Sequence, residues 1–384
     1  MTQGGVRSED TGERAAGPVR RGLVLGGGGM LGAAWTIGAL AAVEEATGWH
    51  PGAAAIVLGT SAGSVLGTML AAGVPLTDLR DHQLGRPVTR GPLADVDFDY
   101  ATAVGGAMPP RPAVSIGSPG LLRDVVRHPR DYPFLTMVSA AVPTGRGSVA
   151  PLGELVRHLV GTDGWPPGSP LRVAAVDYRT GRRVVFGDPG APRAAVADAV
   201  MASCAIPGWF APVQVNGSTY VDGGCWSATN VDLMVGRGLD EVYVLAPMAL
   251  RLHPQGRAEP GRGTLAALRE WRERERGERG ERGERGDRPK GALAQLVSRY
   301  RRAVTRQMLR EARELRATGT RVHLIAPTLA DLAVMGTNMM DPGRREETME
   351  TAVLTTRDAL MANPGARGTA RGGRAGGVLG DVPE

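Results

Sequence analysis

Apolar runs and apolar alternations along the chain are separated by glycine-rich or charged segments, and this pattern predicts strands that alternate with helices. Continuous apolar runs at 22–26 and 54–58 are typical of buried parallel strands. The other predicted strands are 171–177, 183–187, 213–221, 240–246 and 321–326, and the predicted helices are 31–46, 62–73, 192–202, 229–237, 292–317 and 344–361. This order predicts an α/β fold of three layers, in which helices flank both faces of a mostly parallel central sheet.

Two dipeptides and one long irregular region add detail to this pattern. Thr180-Gly181 and Asn216-Gly217 each lie between apolar alternations, which predicts two local hairpins. From Leu76 to Pro170 the chain is rich in proline and glycine and its periodicity is weak. We predict that 76–170 is an insertion over the edge of the sheet, where lids are commonly found.

Three segments are too polar to bury a core, and they divide the chain. Mixed charge with regular glycines, as in "RERERGERGERGERGDRPK", is typical of a solvated linker. We therefore predict a disordered N-terminal tail at 1–20, a domain segment at 21–253, a charged low-complexity linker at 254–290, the C-terminal part of the same α/β domain at 291–362, and a disordered tail at 363–384.

Composition narrows the class of protein. A chain of 384 residues with 42% hydrophobic and 22% charged residues has the balance of a globular enzyme. The two cysteines, Cys204 and Cys225, have no metal-type spacing, so we predict no metal and a reducing, cytoplasmic compartment. The uncharged stretches 22–43 and 46–77 are long enough to span a bilayer, but glycines interrupt both where a strand would turn into a helix. We predict a buried α/β core there.

The positive charge of the chain is concentrated in one predicted helix, 292–317. Between Arg299 and Arg321 there are eight arginines and two glutamates, and this difference equals the net charge of +6 of the whole chain. One interpretation is a solvated face on a helix that packs on the sheet. The other is attraction to an anionic membrane surface. No aromatic residues alternate with the charges, so nucleic acid is not expected as a partner.

Four consecutive glycines in "LVLGGGGMLGAAW", residues 23–35, follow the first predicted strand. Gly27, Gly29 and Gly32 fit the G-x-G-x-x-G pattern of dinucleotide-binding proteins. That function requires an acidic residue at the end of the second strand, but the second strand ends in Leu58 and Gly59. A dinucleotide-binding oxidoreductase therefore remains a minor alternative.

The second predicted strand leads into "GTSAGS", residues 59–64, in which Ser61 lies between Gly59 and Gly63. A G-x-S-x-G sequence between a strand and a helix is typical of a nucleophile elbow, because bulky neighbours would clash in the tight turn. Backbone N–H groups of the preceding glycine turn can then stabilise the oxyanion of an ester, at roughly 3 to 4 kcal/mol per donor.

A serine nucleophile needs a base, and two candidates are present. Asp222 in "YVDGGCW" ends a predicted strand and precedes Gly223 and Gly224, which places it at the carboxyl edge of the sheet with Ser61. His323, at the start of a late strand, is the alternative partner for a histidine-containing triad.

These residues resemble the patatin-like phospholipase family, which combines a glycine-rich turn, a G-x-S-x-G elbow and a later D-G-[GA]. All three occur here in that order, and "SCAIPGWFAPV" at 203–213 and Asn230 are also similar to the family pattern. The resemblance covers about 22–247, is weaker over 321–360, and identifies 21–253 as a patatin-like catalytic domain. It implies a patatin-like fold and a Ser–Asp dyad without histidine.

The resemblance also implies a role for each residue. Ser61 would be the nucleophile and Asp222 the base, with Gly59, Gly63, Gly223 and Gly224 supporting the two motifs. The oxyanion hole would be the turn of Gly27, Gly28, Gly29 and Gly32, with the N–H groups of Gly28 and Gly29 as donors. No metal or cofactor is implied. One departure is Leu31, which stands where the family usually has arginine or lysine.

The function that follows is a serine acyl hydrolase that cleaves lipid esters, as a phospholipase A, lysophospholipase or lipase does. The enzyme would be cytoplasmic, with peripheral contact to anionic membrane through the basic helix. The apolar segments 112–122 and 134–143 fit an acyl-chain surface, and core packing explains them as well. The alternative of another class is a non-catalytic lipid-binding protein of the same fold.

Overall fold

The computed structural model describes residues 18–96, 98–100, 111–162, 165–251 and 291–362. Its strands are β1 (Arg21–Leu25), β2 (Ile56–Thr60), β3 (Leu171–Asp177), β4 (Arg183–Phe186), β5 (Val213–Val215), β6 (Ser218–Asp222), β7 (Glu241–Leu245) and β8 (Arg321–Ile325). Its α-helices are α1 (Gly29–Thr47), α2 (Ala62–Ala71), α3 (Leu76–Gln83), α4 (Pro119–Arg127), α5 (Phe134–Ala141), α6 (Ala150–Val160), α7 (Val196–Cys204), α8 (Gly291–Ala317), α9 (Leu329–Met335) and α10 (Arg345–Ala362).

The strands form one mixed sheet in the order β5-β6-β3-β2-β1-β7-β8, and β4 also pairs with β3. The five strands from β3 to β8 in this order are parallel, whereas β4, β5 and β6 pair in antiparallel fashion. Side chains alternate between the two faces. Leu23 and Leu25 pack against helices on one face, and Val24 packs on the other face with residues of α8. The predicted α/β fold of three layers is therefore confirmed.

Strand β3 pairs with two strands, β2 and β6, one after the other along the same edge. Val57 to Thr60 of β2 pair with the first half of β3, up to Ala174, and Asp222 of β6 pairs with the next residue, Ala175. Because β4 occupies the opposite edge of β3, β6 continues the line of β2 but runs in the reverse direction. The carboxyl ends of β2 and β6 consequently meet end to end.

The predicted strands agree with the observed ones within about two residues at each end, and both predicted hairpins are present. Thr180-Gly181 joins β3 to β4, and 213–221 is a hairpin of two strands around Asn216 and Gly217. Asn216 and Gly217 have φ of 47° and 80°, the left-handed conformation that tight hairpin turns require.

The predicted helix at 229–237 is wrong. Only a short 3-10 turn, Val231–Met234, forms there, because Asn230 takes a left-handed conformation and Gly236 has a positive φ. Within 76–170, the described residues contain α3 to α6, which are short helices whose ends are set by proline or glycine. The role of this region as a lid stays a prediction.

The predicted tail 363–384 and linker 254–290 lie outside the described residues, as do 1–17 of the N-terminal tail. Residues 22–43 and 46–77 form β1–α1 and β2–α2 in the buried core, as predicted. Among the helices of the described ranges, none combines the length and the apolar character needed to cross a membrane.

We predict that Gly38→Ala destabilises the fold. A Cβ at Gly38 would lie 2.2 Å from the carbonyl oxygen of Met349, where α1 crosses α10. The clash should exceed the helix-propensity gain of alanine and lower the free energy of unfolding by about 1 to 3 kcal/mol in urea titrations. Gly120→Ala is the matched control, since its Cβ would lie 3.6 Å from the nearest atom, and it should leave stability equal or slightly higher. Equal stability of the two variants would contradict the packing argument.

Candidate active site

Ser61 lies at the sharp turn between β2 and α2. Its φ of 53° and ψ of −127° are strained for a residue with a side chain. Cβ atoms at the flanking glycines would not fit, because one at Gly59 would lie 2.4 Å from Ser64 Cα and one at Gly63 would lie 2.0 Å from the Leu25 carbonyl oxygen. The geometry is that of a nucleophile elbow.

Two serines hold the backbone of this elbow. The Ser61 N–H donates to Ser203 Oγ at 2.9 Å, and the Ser203 hydroxyl donates to the Ala174 carbonyl at 2.6 Å. Ser64 Oγ donates to the Ser61 carbonyl at 2.7 Å. Ser203 therefore links α7, β3 and the elbow. This role of Ser203 was not predicted from the sequence, although Ser203 begins the stretch 203–213 that resembles the family pattern.

Asp222 ends β6 and is buried, with 5% of its surface exposed. Burial raises the pKa of Asp222 to about 6, and hydrogen bonds from the Ser61 side chain and the Gly224 N–H oppose this rise. The Gly224 N–H lies 2.6 Å from Asp222 Oδ1. At neutral pH the carboxyl is therefore mainly ionised, and the structure brings it together with the Ser61 hydroxyl.

The structure shows how Asp222 reaches the end of β2. Asp222 was predicted to share the carboxyl edge of a mostly parallel sheet with Ser61. In the structure β6 is antiparallel, so Asp222 reaches the end of β2 from the opposite direction. The small size of Gly223 permits this meeting, since a Cβ there would lie 2.3 Å from the Ala174 carbonyl oxygen.

Asn230 connects the two strand ends. Its side-chain N–H2 donates to Thr60 Oγ1 at 3.0 Å and to the Ser227 carbonyl at 2.6 Å, and its Oδ1 accepts from Arg183 at 3.1 Å. The side chain is fully buried, and its polar atoms find these hydrogen-bond partners within the protein. Asn230 thus ties the segment after Asp222 to the residue that precedes Ser61.

The glycine turn packs against the nucleophile, and a Cβ at Gly27 would lie 3.1 Å from Ser61 Cβ. The Gly27 N–H already donates to the Ala228 carbonyl at 2.8 Å, and the Gly32 N–H donates to the Gly28 carbonyl at 3.0 Å. These two predicted members of the oxyanion hole are therefore not available as donors. The N–H groups of Gly28 and Gly29 have no acceptor within the described part of the chain.

Close contacts explain the glycines at these two positions. A Cβ at Gly28 would lie 2.8 Å from Pro247 Cγ, and one at Gly29 would lie 2.9 Å from Met340 Sδ. Gly29 also has a φ of 61°. Side chains at these two positions would therefore not fit, and the turn requires glycine there.

An apolar pocket opens beside Ser61 and encloses about 720 Å³ of empty space, including its mouth. Ser61 and Gly29 line it at one end. The apolar side chains of its wall come from α1, α2, α3, α6 and the segment after α7, and include Ile37, Val65, Met69, Leu79, Leu155 and Phe210. A wall made mostly of apolar side chains is typical of pockets that bind apolar ligands.

The two apolar segments 112–122 and 134–143 contribute no residue to this pocket. Leu121 and Ala140 instead pack in a separate cluster with Val176 of β3. Of the two interpretations of these segments, core packing is therefore correct for their buried residues.

His323 is not near the elbow. It lies in the middle of β8, separated from β2 by β1 and β7, or about 14 Å at the usual strand spacing. Its ring stacks on Tyr243 with centroids 4.5 Å apart, and burial lowers its pKa. The alternative of a triad that includes His323 is therefore wrong. In the described ranges, no three His, Cys, Asp or Glu side chains are grouped as metal ligands would be.

Comparison with known proteins gives one family and a set of matching solved structures, among them VipD and the ExoU–SpcU complex. A family model described as "Patatin-like phospholipase" matches residues 23–235, more than half of the chain. VipD from Legionella pneumophila is 16% identical with a TM-score of 0.39, and the match covers 90% of this chain and 67% of VipD. The heterodimeric ExoU–SpcU complex of the Pseudomonas aeruginosa type III secretion system gives 16% identity and a TM-score of 0.26, covering 90% of this chain and 59% of the matched chain.

We predict that Ser203→Ala lowers the free energy of unfolding by about 1 to 3 kcal/mol, because it leaves the buried Ser61 N–H without its partner and removes the bond to the Ala174 carbonyl. Urea titration measures the change. Ser218→Ala at the start of β6 is the control, since the Ser218 hydroxyl has no hydrogen bond within the described residues. A loss no larger than that of the control would mean that Ser203 does not hold the elbow.

Proposed function

The chain belongs to the patatin-like phospholipase family, and from that premise we propose that it is a serine acyl hydrolase that cleaves carboxylic esters of lipids through Ser61 and Asp222. One observation carries the proposal. The strained elbow presents Ser61 both to the buried Asp222 carboxyl and to an apolar pocket. The nucleophile therefore lies beside both a base and a pocket that fits an acyl chain.

The reaction needs a proton acceptor and an oxyanion site. Asp222 takes the Ser61 hydroxyl proton as Oγ attacks the ester carbonyl carbon, and the N–H groups of Gly28 and Gly29 stabilise the negative oxygen. The bond to the alcohol breaks, and Asp222 returns the proton to the leaving oxygen. Water, giving its proton to Asp222, then attacks the acyl-serine, and the carboxylic acid leaves as the proton returns to Ser61.

The properties of Asp222 support its role as the base. Burial holds its pKa near 6, which is closer to the operating pH than that of an ordinary aspartate. A base of this strength is still mainly ionised at pH 7 but accepts a proton more readily than an exposed carboxylate. The Ser61 side chain lies close enough to the carboxyl to lower its pKa, and direct proton transfer requires this proximity.

The substrate class follows from the pocket. Its wall is mostly apolar and contains no charged side chain, which fits the hydrocarbon chain of a lipid. Leu31 is fully buried in the core and presents no cation at the glycine turn. We therefore propose selection by the acyl chain, with no requirement for a phosphate head group.

We expect Ser61→Ala and Asp222→Asn each to reduce kcat/KM for p-nitrophenyl esters at least a thousandfold. A series of esters from short to long acyl chains measures activity and chain-length preference. Asp222→Asn should be at least as stable as the wild type at pH 8, because the raised pKa of Asp222 means that its ionisation opposes folding as the pH rises through about 6. Loss of activity in a stable variant therefore reports chemistry and not unfolding.

The wild-type pH profile supplies the second arm of this test. Since Asp222 must be ionised to act as a base, kcat/KM should rise with pH through about 6 and then level off. Activity that survives Ser61→Ala would mean that another residue is the nucleophile. A wild type that binds lipid but hydrolyses no ester would favour the non-catalytic lipid-binding alternative.

We also propose peripheral contact with anionic membrane through the basic helix α8. Four exposed arginines, Arg299, Arg306, Arg310 and Arg313, share one face of this helix, and none pairs with a carboxylate among the described residues. The opposite face packs in the core through Val304, Met308 and Leu315. We call these four residues the arginine stripe.

Exposed apolar side chains also occur in the region before β3. Five large ones fall between residues 114 and 138: Val114, Ile116, Val126, Phe134 and Val138. Thr136 of α5 donates to the Cys225 carbonyl at 2.7 Å, and Gln307 of α8 donates to the Trp226 carbonyl at 2.9 Å. The turn after Asp222 therefore contacts both α5, which carries the exposed Phe134 and Val138, and α8. Both cysteines are free and buried, in agreement with a cytoplasmic enzyme.

Arg306→Gln combined with Arg310→Gln should weaken binding to vesicles that contain phosphatidylglycerol by tenfold or more, since each arginine near an anionic surface contributes about 1 kcal/mol. Co-sedimentation over a salt series measures the effect, with pure phosphatidylcholine vesicles for comparison. Arg90→Gln combined with Arg193→Gln, at exposed positions outside α8, is the matched control. Binding that ignores both anionic lipid and salt would contradict the membrane role of the stripe.

A further inference from the structure

Arg301, on the inner side of α8, is a cation buried in the core, with 3% of its surface exposed. Its guanidinium donates to the Pro247 carbonyl at 2.9 Å and lies 3.3 Å from Met339 Sδ. No carboxylate of the described residues pairs with it. Burial lowers the pKa of Arg301 to about 10, so the side chain remains charged at neutral pH. A buried charge without a counter-ion is costly and needs an explanation.

Both partners of Arg301 support the glycine turn. The ring of Pro247 occupies the space where a Cβ of Gly28 would lie, 2.8 Å from Cγ. The Met339 carbonyl accepts the Leu31 N–H at 2.9 Å and would lie 3.2 Å from a Cβ of Gly29. The guanidinium therefore bridges the two segments against which Gly28 and Gly29 are packed.

The neighbouring residue shows how the charges are arranged around the site. Tyr300 is close enough to Asp222 and to Arg301 for the two charges to shift its pKa in opposite directions. Arg301 itself is not among the groups that shift the pKa of Asp222. The first half of α8 thus places one side chain towards the carboxylate of the dyad and the next, cationic, side chain towards the glycine turn.

We propose that Arg301 is a positioning residue of the oxyanion hole, which holds the glycine turn in place and puts a fixed positive charge behind the N–H groups of Gly28 and Gly29. This inference rests on the proposed function. The charge comes from α8 and not from the turn itself, where Leu31 is buried in the core. A cation with no ground-state partner is matched to a negative charge that exists only in the transition state.

The proposed role of Arg301 predicts an effect on kcat and not on KM. An interaction that strengthens only in the transition state changes kcat, whereas uniform binding of substrate changes KM. Removal of the charge should therefore lower kcat and leave KM nearly unchanged. A purely structural role for Arg301 would lower stability without that division.

The test compares Arg301→Lys, which keeps the charge, with Arg301→Met, which keeps the stem, and Arg301→Gln, which keeps a donor. Kinetics with a soluble p-nitrophenyl ester are measured beside thermal unfolding and hydrogen exchange of the segment 26–35. Arg316→Met, an exposed arginine on the same helix, is the matched control. We expect Arg301→Met and Arg301→Gln to lower kcat ten- to a hundredfold, with KM within threefold of the wild-type value. Arg301→Lys should recover at least half of this loss of kcat on a logarithmic scale. The control should match the wild type.

Folded Arg301→Met or Arg301→Gln protein with wild-type kcat would overturn the inference while the proposed function stands. An equal loss of kcat in the Lys, Met and Gln variants would also overturn it, because the charge would then have no part. If the wild type hydrolyses no ester, the proposed function fails, and hydrogen exchange alone decides the positioning role. Faster exchange of 26–35 in the neutral variants than in the wild type and the Lys variant supports that role, and unchanged exchange refutes it.

Discussion

The site depends on the pairing of β3 with two strands along one of its edges. Thr60 and Asp222 pair with successive residues of β3, Ala174 and Ala175, so that the ends of β2 and β6 are brought into contact by backbone hydrogen bonds. The same carbonyl of Ala174 accepts the Ser203 hydroxyl that in turn holds the Ser61 N–H. Because the register of a sheet is strongly determined where both faces are buried, the two side chains are positioned by the core itself.

Burial acts on the charges of the site in two ways. The pKa of Asp222 rises because its carboxylate is removed from water, and the hydrogen bonds from Ser61 and Gly224 keep it from rising further. The pKa of Arg301 falls for the same reason. Both groups lie where a low effective dielectric strengthens each remaining interaction. Groups that cost stability are thus concentrated around Ser61, whose own backbone is strained.

Local patterns were sufficient for much of the fold and part of the site. The elbow at Ser61 and the position of Asp222 at a strand end were predicted from small residues and an apolar strand within a few residues of each. The helix predicted at 229–237 failed because the backbone of Asn230 is left-handed, in a position where its side chain bonds Thr60, a partner 170 residues away in sequence. The histidine alternative failed because sheet order, and not sequence, sets the distance of His323 from Ser61. Short helices between 76 and 160 lacked the length for a clear periodicity.

The sequence by itself determined the alternation of strands and helices, the elbow at Ser61 and the candidate pair with Asp222, because apolar period, glycine size and turn chemistry act locally. Only the tertiary structure decided that β6 runs antiparallel to β3 and that Arg301 lies behind the glycine turn. It also decided that the N–H groups of Gly27 and Gly32 donate to carbonyls within the protein. Each of these depends on which distant backbone groups become neighbours. Hydrogen-bond partners across a sheet or between a helix and a loop leave no periodic trace in either segment.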